Sequence, residues 1–219
     1  GIVVGHKGSG LINLDQGALA MYPAYTFITM RETGDMYFPW FDFFPGPIDI
    51  PYKLSLASSG VGAFPSFLAA VFMSIILGII VQALIFGPLR NKPPISKIIG
   101  SLGALIYLTS LASYQFGSKS RLVDGVLPEG IWQNPFGLDG GIEYSRLLLA
   151  LIALIIGGGL AIYYKRSKMG LRTRAIEDSE IGGTLLGFSA NRIATVNWLI
   201  STTITGIAGI LALDFVTLT

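Results

Sequence analysis

KRSKMGLRTRAIEDSEIGGTLLGFSANR, residues 165–192, is the longest polar stretch of the chain that can carry a helix. It lies between two apolar segments, Leu147–Tyr164 and Ile193–Leu213. Each approaches or reaches the ~20 residues that cross a bilayer. Six of the fifteen Lys and Arg residues fall in this loop (Lys165, Arg166, Lys168, Arg172, Arg174 and Arg192), against three acids, Glu177, Asp178 and Glu180. Such an excess of Lys and Arg marks a cytoplasmic loop. The chain therefore reads as a polytopic membrane protein.

Inside the loop the sequence predicts one short helix beginning after Gly170. Arg174 and Asp178 then stand at i,i+4 and can pair. The acids fall in the early turns, where the helix dipole favours them. Gly182-Gly183 costs about 1 kcal/mol per glycine relative to alanine. Two readings stay open: a solvated connector with a helical turn, or a helix whose glycines admit the backbone of another protein.

Working outward, 52% of residues are hydrophobic and 13% charged, with a mean hydropathy of +0.64. Soluble domains carry about 25% charge, so the composition demands a membrane. The net charge of +2 follows the loops and gives no basic face for nucleic acid. With no cysteine, disulfides and thiolate metal sites are excluded. The sequence has no P-loop, HExxH, CxxC or G-x-S-x-G pattern, so it offers no catalytic or metal site and no ATP site of its own. His6, beside Lys7, reads as a solvated histidine. Gly1 and Thr219 both look like cut ends, which predicts a partial chain.

Further spans are predicted at Phe64–Phe86 and Ile95–Phe116, joined by the basic GPLRNKPPISK. Residues 1–30 give another segment, GLINLDQGALAMYPAYTFITM, which places Asn13, Asp15 and Gln16 together in an apolar run. An ionisable group inside a span faces the bundle interior or a water-filled path, because lipid exposure is costly. Gly10, Gly17 and Pro23 suit irregular backbone lining a cavity, with Pro23 interrupting the helix. The competing reading sets Asp15 at the interface and starts a short span at Gly17. Residues 31–59 and 117–146 read as polar loops on the outer face. The first clusters Tyr37, Phe38, Trp40, Phe41, Phe43 and Phe44, as an interfacial belt or a contact surface. Gly157-Gly158-Gly159 and Gly206-Ile-Ala-Gly209 offer small faces for helix packing. Alternating sides puts ten Lys/Arg inside and five outside. The fold class is thus all-α, a transmembrane bundle of about five spans in a single domain, residues 1–219.

The run MGLRTRAIEDSEIGGTLLGFSANRI, with TGIAGILA after it, resembles the main cytoplasmic loop of ABC-importer permeases of the branched-chain amino acid family. The likeness rests on Gly170, Arg174-Ala175, Glu177-Asp178, Leu186-Gly187, Arg192 and Ala208-Gly209. A second motif of that family, similar to Gly-x-x-Asn-x-x-His-Gly-Ala, is met by Gly10, Asn13, Gly17 and Ala18. Gln16 stands where His is usual, Asp15 where a small residue is usual, and Pro23 where Gly is common.

This resemblance implies a permease subunit in the cytoplasmic membrane of a prokaryote, moving branched-chain or other hydrophobic amino acids or related small polar solutes. It implies a second permease subunit, identical or not, two cytoplasmic ATPases that hold ATP, and an extracytoplasmic binding protein. No cofactor is expected on this chain. The path would be lined by Asn13, Asp15, Gln16 and Gly17. Coupling to the ATPase would run through Gly170, Arg174, Ala175, Glu177, Asp178, Gly182, Gly183, Leu186, Gly187 and Arg192. The alternatives are an ABC permease for simple sugars and an ion-coupled secondary transporter that uses Asp15.

Overall fold

The computed structural model describes residues 15–40, 53–90, 92–117, 130–132 and 142–216. Its helices are α1 (Gln16–Glu32), α2 (Ala63–Val81), α3 (Pro94–Phe116), α4 (Tyr144–Arg166), α5 (Lys168–Asp178), α6 (Glu180–Leu185) and α7 (Ala190–Val216). A π-turn, Gln82–Phe86, extends α2. Among the described residues, four helical stretches are long and apolar enough to cross a membrane: Ala63–Phe86, Pro94–Phe116, Tyr144–Arg166 and Ala190–Leu213. They match the four long spans read from the sequence, and α1 supplies the further, shorter helix. The chain is an all-α, polytopic membrane bundle.

The 31–59 and 117–146 stretches each contain a short strand pair among their described residues. β1 (Asp35–Tyr37) pairs antiparallel with β2 (Lys53–Ser55), and β3 (Ile131–Trp132) with β4 (Ile142–Glu143). Phe41, Phe43 and Phe44 lie outside the described residues, as do His6 and Asn13.

Two compact units are present, one of residues 1–122 with 195–210, the other of 123–194 with 211–219. In the first, α1 is the enclosed element, with Leu19, Tyr22 and Phe27 at 1% exposure or less. The helix continues through Pro23, contrary to the predicted interruption. Proline removes a backbone donor and crowds the preceding turn, yet neighbouring helices and hydroxyls make it tolerable in a membrane. Pro23 is itself buried, and Thr26 and Thr29 donate to the carbonyls of Tyr22 and Tyr25, each at 3.1 Å.

α2 runs antiparallel to α7, and small or polar residues stitch the two together. Gln82 Nε2 donates to Thr195 Oγ1 at 3.3 Å, Trp198 Nε1 to the Gly78 carbonyl at 2.9 Å, and Ser74 Oγ to the Thr202 carbonyl at 2.7 Å. Phe86 packs on Trp198 with ring centres 4.5 Å apart. Water does not compete for such bonds in hydrocarbon, and small residues let the backbones close in. The Gly206/Gly209 face behaves as predicted. A Cβ at Gly209 would strike the Ala20 backbone carbonyl of α1, and one at Gly206 would strike Ser74.

In the second unit α4 has no buried residue among those described, and Gly157, Gly158 and Gly159 meet nothing within 4 Å. The triple glycine makes neither a break nor a contact with described residues.

These environments predict opposite outcomes for one substitution. Gly209→Ala should destabilise the detergent-purified chain by about 1–3 kcal/mol through overpacking. Gly158→Ala should be neutral or gain up to about 1 kcal/mol of helix propensity. Thermal unfolding of the two variants measures the contrast.

Candidate functional site

Asp15 and Gln16 open α1. Asp15 is the N-cap, a position that favours Asp because its carboxylate can accept from the first-turn amides. Here it makes no such bond. Asp15 is nonetheless 0% exposed, and both its carboxylate oxygens lack a hydrogen-bond partner among the described residues. Asp15 is thus enclosed by protein, while the helix starts at Gln16, close to the short span from Gly17 that the competing reading described.

Gln16 is also buried, and its Oε1 accepts from Thr205 Oγ1 of α7 at 2.6 Å. Its Nε2 has no partner among the described residues. Thr205 lies one turn beyond Thr202, whose carbonyl meets Ser74 at the middle of the Ala63–Phe86 span. The polar start of α1 is therefore at membrane depth. Gly17 faces open space, with nothing within 4 Å of where a Cβ would stand. Thr205 escaped the sequence reading because its only signal is a hydroxyl beside the Gly206 packing face.

Midway along α1 an aromatic and polar latch holds the chain. Tyr22 Oη donates to Gln115 Oε1 at 2.5 Å, and Gln115 Nε2 donates to the carbonyls of Phe38 and Trp40 at 2.8 and 3.0 Å. Tyr107 Oη donates to the Pro39 carbonyl at 3.1 Å. Tyr37 and Tyr22 both meet Phe116 edge-on, at 5.4 Å between ring centres. Tyr37, Phe38 and Trp40 are partly buried, so they pack on the bundle instead of standing free as a belt.

The 165–192 loop forms two helices, not one. Ser167 caps α5, accepting from the Gly170 amide at 2.9 Å, and Ser179 caps α6, accepting from the Gly182 amide at 3.0 Å. The helix thus begins before Gly170, and a Cβ at Gly170 would strike the Tyr164 backbone. This start moves Glu177 and Asp178 to the end of α5, away from the dipole-favoured turn. Glu180 begins α6. The expected Arg174–Asp178 pair is not formed. Arg174 Nη2 reaches back to the Lys165 carbonyl at 3.4 Å.

Gly183 is buried where α6 packs on α5, and a Cβ there would come within 2.7 Å of Ile176 Cγ1. Gly182 meets only its own cap, Ser179, at 3.2 Å. Gly187 has φ +82°, the left-handed geometry that stops a helix. Ala175 is half-buried, while Leu186 and Arg192 are exposed. The feature that single-residue reading overlooked is an apolar edge: Ile181 is 76% exposed, Leu185 84% and Leu186 71%.

The family described as "Branched-chain amino acid transport system / permease component" matches residues 7–217. The chain belongs to this family. It is 24% identical over 162 residues to the high-affinity branched-chain amino acid transport system permease protein BraD of Pseudomonas aeruginosa, covering 71% of the chain and 53% of that protein. It is 23% identical over 151 residues to the corresponding protein LivH of Salmonella typhimurium, covering 68% and 49%, and likewise to LivH of Escherichia coli K12. The chain spans about half the length of these curated relatives. No solved structure matches it.

Outside the spans, the β1–β2 hairpin holds one carboxylate in a set of polar contacts. Asp35 of β1 accepts from Ser55 Oγ at 2.6 Å and pairs with Lys53 Nζ at 2.9 Å across the hairpin. The Ser55 bond first, then Lys53, hold its carboxyl below the usual aspartate range. Because the folded value is depressed, the stabilisation is complete above about pH 4, the unfolded value. It is lost as pH falls through the folded value. Hydrogen exchange at residues 35–37 and 53–55 should be flat from pH 7 to 5 once corrected for intrinsic rate. Protection should fall only below about pH 4, and Asp35→Asn should remove that step.

Proposed function

We propose that this chain is the permease subunit of an ATP-driven importer for branched-chain or other hydrophobic amino acids, or related small polar solutes. Its relatives are described as permease proteins of high-affinity branched-chain amino acid transport systems. The observation that carries the reading is the exposed edge Ile181, Leu185 and Leu186 on a basic loop between two spans. Apolar patches rimmed by charge mark protein contact sites. The partner that fits is a cytoplasmic ATPase, and α5 and α6 are the coupling element.

In this mechanism the chain holds no nucleotide. Two ATPases close on ATP and push α6. Ser179 caps α6, and Gly183 seats it on Ile176, so the two helices move as one body. Gly170, where α5 lies against the Tyr164 backbone, passes the displacement to α4. Arg174, Ala175, Glu177, Asp178, Gly182, Gly187 and Arg192 shape or flank the docking face. A binding protein delivers solute to the outer side, and a second permease subunit completes the path beside Asp15, Gln16 and Gly17. The uncovered faces of α4 meet lipid and that subunit. The membrane is the cytoplasmic membrane of a prokaryote, with residues 165–192 inside. Neither a sugar permease nor an ion-coupled carrier has a matching relative to support it.

Leu185→Asp should weaken ATPase association on the order of tenfold or more, the scale of an interface hot spot, and abolish transport. Membrane insertion and thermal stability should stay unchanged, because the side chain is exposed. Co-purification of the ATPase with the variant is the measurement. Full association and coupled uptake would defeat the reading.

A further inference from the structure

The corner between α2 and α3 is basic, and the chain around it supplies no opposite charge. Arg90 and Lys92 lie in the short connection and Lys97 at the start of α3, while residues 51–123 contain no Asp or Glu. Lys92 is exposed and Lys97 half-buried. Neither lysine side chain has a partner among the described residues. With no acid in the first turn of α3, Lys97 stands against the helix dipole without an offset.

Backbone bonds and packing hold this corner in shape. The Gly87 amide closes the π-turn on the Gln82 carbonyl at 2.7 Å, and the Arg90 and Lys92 amides donate to the carbonyls of Gly87 and Leu89 at 3.3 and 3.1 Å. A Cβ at Gly100 would come within 2.8 Å of Leu89 Cδ1 and 2.9 Å of Ile85 Cγ2, so α3 lies against the π-turn and the turn after it. Phe86 is buried on Trp198, whereas Leu84, Ile95 and Ile99 stand outward at 72%, 66% and 65% exposure. All three belong to the stretches Ala63–Phe86 and Pro94–Phe116, which are long and apolar enough to span. The cations therefore sit where two spans leave the hydrocarbon, next to apolar side chains that stand within it.

We propose that this corner binds an anionic phospholipid, its phosphate at Arg90, Lys92 and Lys97 and its acyl chains along Leu84, Ile95 and Ile99. Basic clusters beside membrane helices attract anionic headgroups, each Lys or Arg near the surface strengthening the attraction about fivefold. A free phosphate would use the charges and leave the apolar residues without a role. A cytosolic protein could reach the cations but not Ile99, one turn further into the span. A lipid satisfies both sets at once. On the topology proposed above the corner faces the cytoplasm, so the lipid belongs to the inner leaflet.

The test uses the full-length permease in nanodiscs of phosphatidylcholine with a varied share of phosphatidylglycerol. Residues 1–219 contain no cysteine, so with any cysteine elsewhere replaced, Leu84→Cys carries a single fluorophore. Phe64→Cys, 73% exposed at the opposite end of α2, carries the same label as a control. Brominated phosphatidylglycerol should quench the label at 84 at about a tenth or less of the share that brominated phosphatidylcholine requires. Lys92→Gln should weaken that preference about fivefold, and Lys92→Gln with Lys97→Gln should remove most of it. Lys92→Arg with Lys97→Arg should keep it, and the label at 64 should show none.

Equal quenching by the two lipids at 84, the same preference at 64, or a preference unchanged in the double glutamine variant overturns the proposal. Inorganic phosphate, with ionic strength matched by chloride, should leave the preference intact; its removal would make this a free-anion site and overturn the lipid assignment. Loss of ATPase co-purification in the double glutamine variant, with the lipid preference intact, would give the corner to the ATPase instead. If the glutamine pair fails to fold, salt replaces it on the wild type. The preference should then fall as chloride rises, and a salt-independent preference overturns the proposal.

Discussion

An ionisable side chain cannot face hydrocarbon without a large cost, and α1 begins with one at membrane depth. Much of the first unit's packing follows from that constraint. A helix that starts with Asp15 and Gln16 has to be enclosed by others, so the surrounding helices must approach closely. Gly209 lets α7 rest on the Ala20 carbonyl, Gly206 makes room for Ser74 and Pro23, and Gly78 makes room for Thr202. The enclosing wall is fastened by side-chain bonds that have no water to compete with them. Ser74 to Thr202 and Trp198 to Gly78 hold α2 and α7 together just beyond the polar cluster.

The second unit obeys the reverse logic. Its long helix α4 buries nothing among the described residues, and the polar loop after it folds into two capped helices that pack on each other. What remains uncovered is apolar: Ile181, Leu185 and Leu186 on the loop, Leu151, Leu154 and Ile155 on the span. The span residues suit lipid or another helix. The loop residues, with Glu177, Asp178 and Glu180 before them and Arg192 after, suit a protein contact.

Much of this was legible in the amino-acid order. Long apolar runs announce membrane helices because hydrocarbon leaves them no alternative, and the four long spans were readable to within a few residues. The polar cluster of α1 was readable for the same reason, since Asp15 and Gln16 conflict with their neighbours. What could not be read depends on contacts between distant residues. Thr205 is separated from Gln16 by most of the chain, and nothing in its surroundings names that partner. The loop was misjudged locally: Ser167 and Ser179 each accept from an amide three residues on, so the helix starts earlier and breaks once. That shift carried Glu177 and Asp178 to the wrong end for the dipole and left Arg174 facing the Lys165 carbonyl. The continuity of α1 through Pro23 was equally hidden, because a neighbour that covers Pro23, Gly206, comes from the distant α7.

The central claim is that the start of α1 sits inside the bundle against α7, at membrane depth. Gln16→Cys with Thr205→Cys, on a chain that has no native cysteine, tests it in native membranes with a short bifunctional thiol reagent. The account predicts an efficient intramolecular cross-link between the two positions. Absence of the 16–205 link, with both single cysteines freely labelled by a membrane-impermeant reagent from one side, would place Asp15 in interfacial water and contradict it.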